Sequence, residues 1–221
     1  QDVFRKITSL TDPTSRCREM SFCVGLAREM GTDEVLENLP ALDNAGKCSI
    51  KPLRILVASL IKMGMHDKAI HVLSNANTAV TLYLRSFCHT EKGDEDSAGR
   101  DWAAALKALD PLNGKKMEST CFSLADFMED INDKRTESIW QRILDSEPDN
   151  SVYDANALMR LGAHCARRKE YKKAADLYEK GYKIVKKWGG SGCILIKQDG
   201  KQRGMSLSEM EEYVKSLRQR E

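Results

Sequence analysis

Apolar residues recur at helical spacing along almost the whole chain, while alternating strand-like runs are nearly absent. That period commits the chain to helices, and the polar breaks between them set how the helices are joined. A first hairpin starts at the cap Asp12-Pro13-Thr14, runs to Met30, turns at Gly31 and continues to about Leu39, where Pro40 stops it. Helices over 52–63 and 66–75 flank Gly64. Helices over 78–91 and 97–109 flank the break Gly93-Asp94-Glu95-Asp96, and Asp110-Pro111 ends the second of them. A fourth pair spans 116–131 and 134–145, closed by Pro148, and a fifth spans 152–168 and 170–187.

One hairpin alone cannot hide its apolar face, so pairs recurring roughly every 30 to 40 residues have a physical reason to stack. The expected fold is therefore all-α, an α-solenoid of about five hairpins. The fifth pair carries the most specific pattern, with Leu158, Leu161, Gly162, Tyr171, Ala174, Tyr178 and Gly181 at fixed intervals. Small residues at Gly162, Ala174 and Gly181 let two helices approach closely, and the large ones fill the space around the crossing. This run resembles a tetratricopeptide repeat. The likeness is weaker over Leu53, Leu56, Leu60, Ala69, Leu73 and Ala76, over Trp140, Ile143 and Pro148, and weaker still over Leu82, Ala98, Trp102 and Ala105. The resemblance implies a right-handed superhelix whose first helices line a groove for a partner polypeptide, with no cofactor. The residues alone leave open an irregular helical bundle that carries one repeat-like hairpin.

Formal net charge is +2, which gives the whole chain no strong field toward nucleic acid or a membrane surface. No apolar run approaches the roughly 20 residues that span a bilayer. The seven cysteines (Cys17, Cys23, Cys48, Cys88, Cys121, Cys165, Cys193) contain no CxxC pair, and an odd number cannot close a complete disulfide framework. A reducing, intracellular setting is expected, cytoplasmic or nuclear. A chain that begins at Gln1 also reads as a segment of something longer.

After Trp188 the composition changes. The expected organisation is a repeat domain over 1–188, a flexible linker over 189–205 that opens with Gly189-Gly190-Ser191-Gly192, and an amphipathic helix over 206–221. Within the linker, Cys193-Ile194-Leu195-Ile196 precedes an Asp199-Gly200 turn signal. Ser206 and Glu209 form a capping box, and Leu207, Met210, Tyr213, Val214 and Leu217 share one face. That helix reads either as a native cap on the solenoid's open end or as a tethered partner peptide.

If the repeat register holds, the groove is lined by Arg54, Ala58, Ile61, Tyr83, Phe87, Cys121, Ala125, Met128, Asn156, Met159 and Ala163. Met with Tyr and Phe on such a wall suits an amphipathic helix from another protein. One tetratricopeptide subgroup clamps the C-terminal carboxylate of chaperones with Lys and Asn. Here those positions hold Met159 and Ala163, Arg54 and Ala58, and Cys121 and Ala125, so that ligand is not expected. A basic patch at Arg167, Arg168, Lys169, Lys172 and Lys173 reads first as a solvated face. It also offers a dock for an acidic protein segment or, as the second reading, RNA, although Tyr182 is the only aromatic interleaved with it. Residues 118–149 are net acidic, so neighbouring hairpins carry opposite charge.

No metal site and no catalytic arrangement is expected. The histidines His66, His71, His89 and His164 have no ligand spacing, and no phosphate loop or nucleophile elbow is present.

Overall fold

The computed structural model describes residues 9–30, 36, 39–42, 45–112, 114–146, 151–188, 194–198 and 201–220. The chain divides into two compact units, Gln1–Pro111 and Leu112–Glu221. The boundary falls at the Asp110-Pro111 stop, and the segment expected as linker and separate helix belongs to the second unit.

In the first unit, α1 (Pro13–Met30) begins where the Asp12 carboxylate accepts the Ser15 amide at 2.7 Å. Its inner side buries Cys17, Met20, Cys23, Val24 and Ala27 against α2 (Ile50–Lys62). The second helix expected in this hairpin lies largely on 31–35 and 37–38, outside the described residues, and residues 39–42 are not helical. Leu39 and Leu42 are nonetheless core, and the Leu42 amide donates to Val72 O at 3.0 Å. Then follow α3 (His66–Val72), α4 (Ala79–Lys92) and α5 (Glu95–Leu109). Thr78 opens α4 with a reciprocal capping box to Thr81, and Asp94 caps α5 through the Ser97 amide. That cap starts α5 two residues before the expected Ser97. Between α4 and α5, Tyr83 meets Trp102 edge to face at 5.7 Å.

The second unit holds α6 (Gly114–Asp130), α7 (Thr136–Asp145), α8 (Val152–Arg167) and α9 (Tyr171–Lys187). Consecutive helices pack, most extensively α8 on α9. A Cβ placed on Gly162 would stand 3.2 Å from the Tyr178 ring, and one on Gly181 would meet Ala155 O and Leu158 Cβ at 3.2 Å. The small residues singled out in the sequence thus mark the closest approach of the two helices.

The expected linker is corrected in part. Residues 189–193 and 199–200 lie outside the described ones, but β1 (Ile194–Gln198) pairs antiparallel with β2 (Lys201–Met205), Ile194 opposite Met205 and Gln198 opposite Lys201. The β-branched run and the Asp199-Gly200 turn signal favour a ribbon over free coil. The chain returns along α9 as α10 (Leu207–Arg218), which buries Met210, Val214 and Leu217 in one cluster with Tyr178 and Tyr182.

The strongest regularity is in the turns. Gly64, Gly93, Asn132 and Lys169 have φ of 72°, 85°, 56° and 63°, and each ends the first helix of a pair. The residue after each donates five back, Met65 to Leu60 O, Asp94 to His89 O and Asp133 to Met128 O at 2.9 Å, and Glu170 to Cys165 O at 3.0 Å. Four described pairs share this closing motif, in which a left-handed residue lets the last free carbonyls be satisfied.

Candidate protein-interaction site

Within the second unit, helices α6, α7 and α8 converge on the Glu129 carboxylate. Its side chain is 6% exposed. Oε1 accepts from the Trp140 indole at 3.0 Å and from His164 Nε2 at 3.3 Å, and Oε2 accepts from Arg160 Nη1 at 2.8 Å. Arg167 Nη2 lies 2.9 Å from His164 Nδ1. A guanidinium only donates, so Nδ1 accepts and the Nε2–H points to Glu129. Burial pushes the Glu129 carboxyl up, but the His164 hydrogen bond, the Arg160 charge and the Trp140 indole outweigh it and hold it below the ordinary value. Arg160 is equally buried and also faces Asp126 at 3.6 Å. Further out, Arg168 bridges Glu137 on α7 and Glu170 at the start of α9.

Beside this network opens a cavity of about 320 Å³. Asn132, Asp133, Lys134, Thr136, Ala163, Arg167 and Arg168 line it together with Glu129, Glu137 and His164, and Asp133 is paired with Arg135 at 2.6 Å. The carboxylates on its wall are already engaged by internal cations. Arg167 spends one donor on His164 Nδ1, and Lys134 forms no ion pair among the described residues. The balance presented to an incoming group is therefore cationic. A second cavity of about 260 Å³ lies past Arg168, lined by Gln141, Cys165, Lys173 and Leu177 among others.

The basic patch is exposed at Arg167, Arg168, Lys169, Lys172 and Lys173, although Arg168 is committed to its two carboxylates. Tyr182 is not on that face: it is buried and donates to Glu211 of α10.

The expected groove wall is corrected. Tyr83, Cys121, Ala125 and Met128 have 0% exposure and Met159 has 3%, so they are core and offer no surface to another chain. The apolar stripe used to pick them is the stripe that hairpins bury in packing. Arg54, Ala58, Ile61, Phe87 and Asn156 are partly exposed, Asn156 with its amide turned back to Val152 O at 2.7 Å, and Ala163 is at the cavity edge. The helix with Leu207, Met210, Tyr213, Val214 and Leu217 lies along α9, the second helix of its pair, rather than along a first-helix wall.

Among the described residues no group of three His, Cys, Asp or Glu is placed to hold a metal, and no helix is long and apolar enough to cross a membrane. Burial pushes the thiols of Cys88 and Cys121 up to about 12 and about 11. A comparison with family models and curated proteins finds no match to the chain.

Proposed function

We propose that the chain is a tetratricopeptide-like interaction module whose second unit holds an acidic segment of a partner protein at the α6–α7 turn. The observation that carries this reading is the cavity beside Lys134 and Arg167, where wall carboxylates are internally neutralised and cationic donors remain. The four repeated helix-closing turns and the glycine-paced α8–α9 crossing support the repeat character. Carboxylate side chains supply acceptors that match such donors, and an extended segment brings several at once.

The test is fluorescence anisotropy with a labelled Glu/Asp-rich peptide, its Gln/Asn counterpart and a single-stranded RNA of equal length. Saturable binding of the acidic peptide alone, weakened about tenfold or more by Lys134→Glu and Arg167→Glu, is expected. Equal binding of both peptides, or none, overturns the reading. RNA binding that is steeply salt-dependent and lost on neutralising Lys172 and Lys173 would put the basic face in its place.

A further inference from the structure

We propose that the outward face of α1 pairs with the same face of a second copy of this chain, antiparallel about a two-fold axis. The inner side of α1 is occupied by the first unit's core, and the outer side leaves Phe22 62% and Leu26 41% exposed, one helical turn apart. Ile55 on the adjacent α2 is 50% exposed, a turn beyond Pro52, whose carbonyl accepts the Ser21 hydroxyl at 3.2 Å. Single exposed apolar residues are ordinary, whereas three neighbours on one face form a patch that water covers poorly.

Gly25 lies inside this patch. A glycine within a helix costs about 1 kcal/mol relative to alanine. Among the described residues nothing requires it: outside its own helix backbone and neighbours no atom lies within 4 Å of where its Cβ would stand, and it has no positive φ. The open space faces outward, and it admits a large side chain arriving from outside.

The order of residues supplies that side chain. Arg18 and Glu29 share a midpoint with Phe22 and Gly25, between Cys23 and Val24. In an antiparallel pair centred there, Phe22 of each copy seats over Gly25 of the other, and Leu26 flanks the ring. Arg18 of each copy meets Glu29 of the other, so the ion pair forms twice and these two positions bring no like charges together. Self-complementarity of this kind is what a two-fold interface demands, since every contact must occur in both directions. The helix is 18 residues long, enough to carry all four positions on one face. One helix face buries less than the roughly 800 Å² per partner of a standard interface, so the association is weak and concentration-dependent.

Sedimentation velocity of the full chain under reducing conditions tests this, with circular dichroism as the check on folding. The weight-average mass should rise toward a dimer with concentration. Arg18→Glu and Glu29→Arg should each weaken association about tenfold or more, while the double variant recovers to within about threefold of the original. A mixture of the two single variants should dimerise where each alone does not. Gly25→Leu should abolish dimers with helix content kept. A monomer at every concentration, a dimer indifferent to the charge swaps, or a double variant that fails to recover overturns the proposal.

Discussion

Gly162 and Gly181 serve one helix crossing from opposite sides, and their surroundings predict opposite outcomes from glycines elsewhere. Gly181→Ala places a methyl 3.2 Å from the Ala155 carbonyl oxygen, a backbone atom that cannot step aside. Overpacking of about 2 kcal/mol outweighs the gain in helix propensity, so net destabilisation of about 1 kcal/mol is expected. Gly99→Ala in α5 meets nothing within 4 Å and should stabilise by about 0.5–1 kcal/mol. Urea unfolding of the two variants measures both, and equal signs would refute the packing account. Lys169 is the counter-case, a side-chain residue held at φ 63° where Gly64 and Gly93 occupy the matching turns. Left-handed backbone costs a non-glycine residue about 1–2 kcal/mol, partly offset by the entropy glycine loses. Lys169→Gly should therefore raise stability by about 0.5–1 kcal/mol, read as a higher urea midpoint at unchanged slope.

At the level of elements, Arg–carboxylate nodes join helices that apolar packing alone would leave free to slide. Arg85 on α4 holds both oxygens of Asp101 on α5 at 2.7 Å and donates to Ser74 O just past α3 at 2.9 Å. Glu129 does the same work between α6, α7 and α8. Glu129→Gln leaves buried Arg160 with Asp126 at 3.6 Å as its remaining charged partner, and should cost about 2–3 kcal/mol near neutral pH. The sign of its pH dependence follows from the depressed carboxyl. Its contribution is present above the unfolded value of about 4.3 and is lost as pH falls through the lower folded value. The gap between parent and variant in urea midpoint should therefore narrow below about pH 4, and a gap that is constant or widens there would contradict the assignment. Much of the element order was legible because helical period, Gly64, Gly93 and the proline stops are local signals. The Glu129 network was not, since its members lie 31 and 35 residues apart. The breaks at 132–133 and at 169 were legible too, but not their left-handed backbone, because asparagine marks it less clearly than glycine and lysine does not mark it at all. Five of the groove positions, Tyr83, Cys121, Ala125, Met128 and Met159, are core for a related reason, because an apolar stripe gives a face but not which neighbour covers it.

Across the whole molecule the chain carries two compact units, each with its own core. In the second, Trp140 and Ile143 on α7, Leu158 on α8 and Tyr178 on α9 are buried, and α10 closes the end with Met210 and Leu217. The apolar face of α9 is covered by α10, held at its rim by Arg218 to Glu179 and by Tyr182 to Glu211. A unit that hides its own terminal face has no need of the first unit for a core. The fragment 112–221 should thus unfold cooperatively by itself, with stability of about 5 kcal/mol or more for its size. Cutting the same fragment after Trp188 uncovers Tyr178 and Tyr182 and should turn that transition broad, with strong binding of a hydrophobic dye. Circular dichroism against urea distinguishes the cases. A longer fragment that is unfolded, or a shorter one that unfolds as sharply as the longer, would mean that α10 is an appendage and that the core it helps to close is held by something else.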